Sequence, residues 1–191
     1  MRLLFITQYS PYNPSSGGPV YKVRALANKL ALRGHLVTIM TADTSHLLSH
    51  RHQIHLREME RGINVIHLRS LFRYRATTVN PAVWEVGRRE VQHADLIHSF
   101  GFYDMLGPVV ARLAQGYKVP YLLEPIGMLV PIIRSLGKKR LYNRWVGRRV
   151  VEGAARVVAT SLQEEAEIIQ SGISSDLIVV RRNGIELAEF S

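Results

Sequence analysis

The chain of 191 residues contains no cysteine. Disulfide bonds, cysteine-based zinc sites and thiol catalysis are therefore excluded. It also lacks a long hydrophobic run: the opening sequence MRLLFITQYSPY has four apolar residues in a row before Thr7 and Gln8, whereas a membrane-spanning helix needs about 20. Because this run is also too short for the core of a signal peptide, the sequence predicts a cytoplasmic location.

Acidic residues are scarce, since 15 Asp and Glu face 25 Lys and Arg and give a formal charge of +10. This charge favours phosphates, nucleotides, anionic lipids or nucleic acid as partners, without defining a reaction. No nucleic-acid-binding motif accompanies it, so specific nucleic-acid binding is not expected. Neither Asp-x-Asp nor His-Glu-x-x-His occurs, so no metal or other cofactor is expected, although four of the eight histidines lie close together in the chain: His46, His50, His52 and His55.

Strand-like and helix-like segments alternate along the chain. This alternation predicts a doubly wound, mostly parallel, Rossmann-like α/β sheet with function in the loops that follow the strands. Two polar stretches, 43–61 and 69–80, interrupt it and are predicted to be surface excursions. The predicted strands are 2–8, 35–41, 63–68, 95–99, 119–124, 156–160 and 177–180, and the helices are 20–31, 81–92, 103–114, 139–152 and 162–170.

The loop after the first strand ends in Ser15-Ser-Gly17-Gly18-Pro19, directly before a helix. Glycines permit close approach of a ligand, and a helix N-terminus favours negative charge, so Gly17 and Gly18 are candidates for binding a phosphate. The segment is neither a P-loop nor the G-x-G-x-x-G fingerprint of dinucleotide binders. A tight turn without a ligand is the alternative.

Polar side chains also lie at two other predicted strand ends. His98 and Asp104 follow one strand, and Glu124 ends the next, where each can line a substrate cleft. The alternatives are a buried imidazole bonded to a backbone carbonyl for His98, a helix cap for Asp104, and an ion pair with an arginine for Glu124.

A basic segment at 134–149 contains seven Lys and Arg residues and no acidic residue. Apolar residues lie between the charges, so a helix here is amphipathic and can contact an anionic membrane surface or a phosphorylated acceptor. A solvated charged face is the alternative. The candidates for such contact are Lys138, Lys139, Arg140 and Arg144.

Four places in the chain resemble the N-terminal domains of the family 4 retaining glycosyltransferases, which have the GT-B fold. The resemblance covers essentially the whole chain in order. The four places are Tyr9-Ser-Pro with Gly17-Gly18, Arg33-Gly-His-Leu-Val-Thr, Ala94-Asp-Leu-Ile-His98, and Val157-Val-Ala-Thr-Ser161 through Val179-Val-Arg-Arg-Asn-Gly-Ile185 with Phe190.

The resemblance implies that residues 1–182 are the acceptor-side half of a GT-B enzyme and that 183–191 begin a linker to a missing donor-binding domain. The chain alone is then expected to be inactive. In such enzymes the loop matching Gly17 and Gly18 lies against the phosphates or sugar of the donor. Transfer with retention is pictured as departure of the nucleoside diphosphate with attack on the same face, which depends on electrostatic stabilisation of the leaving phosphate.

The chain departs from the family pattern at Phe100 and Ile126, where histidines are common. No catalytic residue is therefore assigned, and the departures indicate a subgroup in which Glu124 and Asp104 shape the acceptor pocket.

The expected function is transfer of a hexose from a nucleotide sugar to a sugar, lipid-linked or polysaccharide acceptor, in polysaccharide or glycolipid biosynthesis at the cytoplasmic membrane face. The alternative is a non-catalytic acceptor-binding subunit that needs a separate donor-domain chain.

Overall fold

A computed structural model describes residues 1–10, 18–42, 55–74, 77–129 and 142–182, which contain ten β-strands and five α-helices. A π-helical turn at Asn143–Gly147 and a 3₁₀ turn at Ser175–Leu177 add to these. The strands are β1 (Arg2–Thr7), β2 (Leu36–Ala42), β3 (His55–Glu60), β4 (Ile63–Leu68), β5 (Phe72–Tyr74), β6 (Thr77–Val79), β7 (Leu96–Phe100), β8 (Tyr121–Glu124), β9 (Arg156–Ala159) and β10 (Ile178–Val180). The helices are α1 (Gly18–Leu32), α2 (Val83–His93), α3 (Leu106–Tyr117), α4 (Arg148–Glu152) and α5 (Leu162–Gln170).

Eight strands form one sheet in the order β10-β9-β8-β7-β1-β2-β4-β3. Every neighbouring pair is parallel except β3 and β4. The chain builds one half of the sheet from β1 to β4, crosses back to β7 and builds the other half outward. The direction of winding therefore reverses between β1 and β7, and doubly wound sheets bind ligands beyond the carboxyl ends of the strands at such a point. The predicted fold class is confirmed.

Alternate side chains of β1 enter two cores on opposite faces of the sheet. Leu3 and Phe5 pack with α1, whereas Leu4 and Ile6 pack on the face that carries α2 and α3. A strand covered on both faces has no polar face, which is why the first run of the sequence is apolar without alternation.

The stretch at 43–61 was expected to be a surface excursion, and this is wrong for its described part. His55–Glu60 is an antiparallel edge strand joined to β4 by a two-residue turn. The turn residues Arg61 and Gly62 have φ of 51° and 80°, the backbone of a type I′ hairpin. Because the sequence of this edge strand is polar, its hydrophobic pattern did not predict a strand. The stretch 69–80 contains the antiparallel pair β5–β6, which forms a two-stranded sheet apart from the main one.

The remaining predictions differ from the structure mainly at element boundaries. All seven predicted strands are present, and the helix predicted at 162–170 coincides with α5. The helix predicted at 103–114 begins at Leu106 and runs to Tyr117, where Lys118 adopts a left-handed conformation that ends it. The described part of the helix predicted at 139–152 is a π-helical turn followed by α4.

Candidate functional site

Three basic side chains surround Glu124, the last residue of β8. Its carboxylate is fully buried. One oxygen, Oε1, contacts the ammonium of Lys22 from the second turn of α1. The other, Oε2, lies 3.1 Å from His98 Nε2 of β7 and 2.9 Å from Arg181 Nη2 just after β10. These four residues are called the Glu124 cluster below.

The Glu124 carboxylate is ionised at neutral pH. Burial by itself raises its pKa, but the contacts with His98, Lys22 and Arg181 outweigh burial and lower this pKa from its ordinary value of 4.5 to about 2. Burial lowers the pKa of His98, so this imidazole is neutral at neutral pH, with Nε2 beside the carboxylate. With Lys22 and Arg181 protonated, the cluster carries one positive charge in excess.

Burial is also the largest influence on Lys22. It lowers the pKa of the ammonium, and the hydrogen bond and charge of Glu124 oppose this shift. A lysine held in this way loses most of its rotamer freedom, so its charge has a fixed position.

The cluster lies at the carboxyl ends of β7 and β8, beside the N-terminus of α1. Gly18 is the first residue of this helix, and its first turn contains no acidic residue. The positive end of the helix dipole and the excess charge of the cluster therefore act at the same edge of the sheet. Gly17 lies outside the described residues.

His98 packs among aromatic rings on the α1 face. Its ring stacks on Phe100 at a centroid distance of 4.0 Å and meets Phe5 edge-on at 5.6 Å. The group beside Nε2 is the Glu124 carboxylate and not the backbone carbonyl that was the alternative for His98. The ion-pair alternative for Glu124 does describe its contact with Arg181.

Asp104 lies apart from the cluster, beside α3. Its carboxylate is buried and accepts the Gly107 backbone N–H of the first helical turn at 2.6 Å. Burial raises the pKa of Asp104, and backbone N–H groups of Leu106 and Gly107 oppose this shift. This contact with the start of α3 agrees with the alternative predicted for Asp104, a role in capping a helix.

The basic segment is described only in its last part. Lys138, Lys139 and Arg140 lie outside the described residues, and Arg144 falls in the π-helical turn. Trp145 in the same turn is 62% exposed.

Tyr142 joins the basic segment to the loop after β7. Its hydroxyl donates to the Phe102 carbonyl at 2.8 Å, and its ring packs against Phe102 and Tyr103. Burial raises the pKa of Tyr142, and Asp104 and Tyr103 add to this shift. The end of the basic segment is therefore anchored to the domain.

An apolar cavity of about 430 Å³ lies on the α1 face, where His98 and Arg181 form part of its wall. Its other walls are mostly aliphatic, and it extends to Met1 and His35, away from the carboxyl ends of the strands. Despite these basic side chains, the surface of the cavity is almost wholly apolar, whereas a phosphate or sugar needs polar partners, so the charged edge is the better candidate site.

Sequence reasoning missed Lys22, Arg181 and Glu164. Lys22 lies beside the apolar stripe of α1. This position was the one signal in the sequence that the lysine is buried. Arg181 directly follows an apolar strand. Glu164 lies three residues after Ser161, the spacing of a capping box, and the Ser161 hydroxyl does accept the Glu164 backbone N–H at 3.1 Å.

Two further findings concern the described residues. No described helix is long and apolar enough to span a bilayer. In the same part of the chain, no group of three or more His, Asp or Glu side chains could hold a metal ion.

The strand order defines the chain as a Rossmann-like α/β domain. Residues 17–184 match the family model described as the glycosyl transferase 4-like domain, and the chain belongs to this family. The resemblance to family 4 glycosyltransferases is thereby confirmed. No curated protein matches the chain significantly in sequence.

Solved structures share the fold at low sequence identity. HepE from Anabaena, in complex with UDP and glucose, has a TM-score of 0.67 and 19% identity, covering 98% of this chain and 46% of its own. Sucrose-phosphate synthase from Thermosynechococcus elongatus has a TM-score of 0.68 and 20% identity, with coverage of 98% and 49%. UDP-N-acetylglucosamine 2-epimerase from Rickettsia bellii has a TM-score of 0.57 and 8% identity, with coverage of 96% and 45%.

The chain thus spans about half the length of these proteins. Because the epimerase shares the fold with the other two, the fold alone does not decide the chemistry.

Proposed function

We propose that residues 1–182 are the acceptor-side domain of a retaining glycosyltransferase that transfers a hexose from a nucleotide sugar to an acceptor hydroxyl. Residues 183–191, outside the described residues, then begin a linker to a donor-binding domain. The family match and the half-length coverage support this proposal. So does HepE, whose crystal structure contains UDP and glucose.

The observation that carries the proposal is the excess positive charge of the Glu124 cluster at the winding reversal of the sheet. Lys22 and Arg181 reach this edge from opposite halves of the sheet, and Glu124 fixes both. A fixed cationic edge beside a helix N-terminus is suited to a diphosphate. It needs no reorganisation as negative charge develops on the leaving group.

The candidate residues divide into two groups in this proposal. Gly17 and Gly18 contact the phosphates or the sugar of the donor. His98, Asp104 and Glu124 shape the acceptor side of the cleft from within, because all three are buried. Glu124 also fixes Lys22 and Arg181, whose charges act on the diphosphate of the donor.

The proposed reaction requires no catalytic nucleophile from this domain and no metal or other cofactor. The bond between the anomeric carbon and the diphosphate breaks, and the acceptor hydroxyl attacks the same face of the sugar. Its proton passes to the departing phosphate oxygen. The protein contributes orientation and a preorganised positive potential.

An assay of the protein together with its donor domain tests this proposal. We expect nucleoside diphosphate release from one of a panel of nucleotide sugars when sugar, lipid-linked and polysaccharide acceptors are supplied. The product should keep the anomeric configuration of the donor sugar, which NMR of the new linkage reads directly.

Residues 1–191 alone should give no turnover. An inverted product would refute retention, and absence of turnover with every nucleotide sugar would refute the transferase. Activity restored by adding a separate donor-domain chain would identify the partner-subunit alternative.

We also propose peripheral contact between the basic segment and an anionic membrane at its cytoplasmic face, with a lipid-linked acceptor. The exposed indole of Trp145, beside Arg148 and Arg149, supports this proposal. Indole rings and arginines together favour the boundary between lipid headgroups and acyl chains.

A further inference from the structure

The turn after β8 has an unusual backbone for its sequence. Pro125 accepts the Met128 N–H at 3.2 Å, and the two residues between them, Ile126 and Gly127, have φ of 53° and 69°. This is a type I′ turn, which favours Gly, Asn or Asp at both central positions. Ile126 is β-branched, so a left-handed conformation there is strained and must be imposed by its surroundings.

Glu164 of α5 is the group that holds this turn. It is 5% exposed, and its Oε1 accepts the Gly127 backbone N–H at 2.6 Å. Its Oε2 accepts both the backbone N–H and the hydroxyl of Thr160, at 2.7 Å and 2.6 Å. One buried carboxylate thus joins the loop after β8 to the loop after β9.

The held turn directly follows Glu124 and forms part of the edge that carries the cluster. Gly127 and Met128 are exposed there, whereas Ile126 packs against the core on the α1 face. The turn therefore presents Gly127 and Met128 to solvent as a rim, while the strained residue Ile126 packs against the core. Residues with strained backbone occur frequently at ligand-binding sites, where the strain is part of a preorganised site geometry.

We propose that Glu164 is a positioning residue that holds the turn 125–128 in its left-handed form, and that this turn is the rim against which the acceptor is oriented. The inference rests on the proposed function for the identity of the ligand. The clamp itself rests only on the contacts of Glu164.

The first experiment measures hydrogen exchange of the Gly127 amide by NMR. Glu164→Ala should speed this exchange by roughly tenfold, because a hydrogen bond to a charged group is lost. Glu165→Ala is the matched control, since it removes the same charge from the next position of α5 and should leave the Gly127 exchange unchanged. Equal effects of the two variants would refute the clamp.

The second experiment uses the protein with its donor domain. Glu164→Ala should raise the KM for the acceptor by roughly tenfold and leave kcat and the donor KM near their original values, because positioning of one substrate is lost. The acceptor KM of Glu164→Gln should lie between those of the original protein and Glu164→Ala, because a single amide oxygen can accept at only one end of the clamp. This variant also serves if Glu164→Ala does not fold.

A double variant tests whether Glu164 acts by holding the turn 125–128 or only by stabilising α5. Ile126→Gly removes the strain of the left-handed conformation, so in the Glu164→Ala background it should restore most of the acceptor KM. Failure to restore it would overturn the proposal. If the original protein turns over no acceptor, the proposed function fails, while the Gly127 exchange still decides whether Glu164 holds the turn.

Discussion

Lys22 and Glu124 form a buried ion pair between α1 and the end of β8, with side-chain exposures of 7% and 0%. The two residues come from opposite halves of the doubly wound sheet, so their contact joins these halves. The contact lies at the carboxyl ends of the strands, where folds of this kind bind their ligands. Arg181 adds a third segment to the same carboxylate. The pair therefore connects folding stability to the geometry of the proposed donor site.

Removing the Glu124 charge should destabilise the domain strongly. We expect Glu124→Gln to lower the free energy of unfolding by roughly 3 kcal/mol, because Lys22 is then a buried charge without its partner. Lys22→Met should cost less, since the carboxylate keeps His98 and Arg181. Urea denaturation of the two single variants and the double variant measures the coupling, and strictly additive effects would contradict the ion pair.

The pH dependence of stability should show the depressed pKa of Glu124. In the unfolded chain this carboxyl takes up a proton as the pH falls below about 4.5, whereas the folded protein resists protonation down to about 2. The unfolded state binds more protons in this window, so the stability contributed by Glu124 is complete above pH 4.5 and is lost toward pH 2.

The difference in free energy of unfolding between the original protein and Glu124→Gln, measured in urea from pH 6 to pH 2, should therefore shrink as the pH falls. A constant difference would exclude the depressed pKa.

Asp104 should stabilise the first turn of α3 by accepting the Gly107 N–H. Asp104→Ala is expected to lower the unfolding free energy by about 1 kcal/mol, since the Gly107 N–H loses its acceptor. Asp104→Asn should cost less, because the amide oxygen can still accept this N–H while the burial of a charge is avoided. Thermal unfolding at pH 7 compares the three proteins. A larger loss for Asn than for Ala would argue against a capping role.

Arg181 should contribute to donor binding through its fixed charge. In the protein with its donor domain, Arg181→Met is expected to raise the KM for the nucleotide sugar by roughly tenfold, as loss of a charge-assisted contact to a phosphate predicts. Arg182→Met is the matched control, because Arg182 is the next residue and is exposed. A similar effect of both variants would indicate a general influence of net charge instead.

The exposed indole at 145 should contribute to membrane contact. We expect the chain to bind vesicles that contain anionic lipid, to release them as salt is added, and to bind less after Trp145→Ala. Leu162→Ala is a fitting control, since Leu162 is also 62% exposed but lies on α5. Cosedimentation measures the bound fraction. Equal binding to neutral and anionic vesicles would count against the proposal.

The polar residues at the strand ends could be predicted from the sequence, but their partners could not. Glu124 was identified because it ends one apolar run, and Asp104 because it follows another. Lys22 lies 102 residues before Glu124 and resembles a surface lysine in a helix. Only the crossing of the chain from one half of the sheet to the other brings the two together.

Ile126 illustrates the same limit within a single loop. The sequence shows only that a histidine common in the family is missing there. The left-handed backbone of a β-branched residue follows from contacts with Glu164 and with the core, which no local preference predicts.

The amino-acid sequence alone predicts the alternation of strands and helices and the apolar character of β1, because hydrophobic periodicity is a local property of the chain. It also determined where strands end and therefore which side chains can reach the ligand edge. The tertiary structure alone decided the strand order and the antiparallel edge strand β3. It also decided that Lys22, His98 and Arg181 share one carboxylate, because these contacts depend on the direction in which each crossover returns to the sheet.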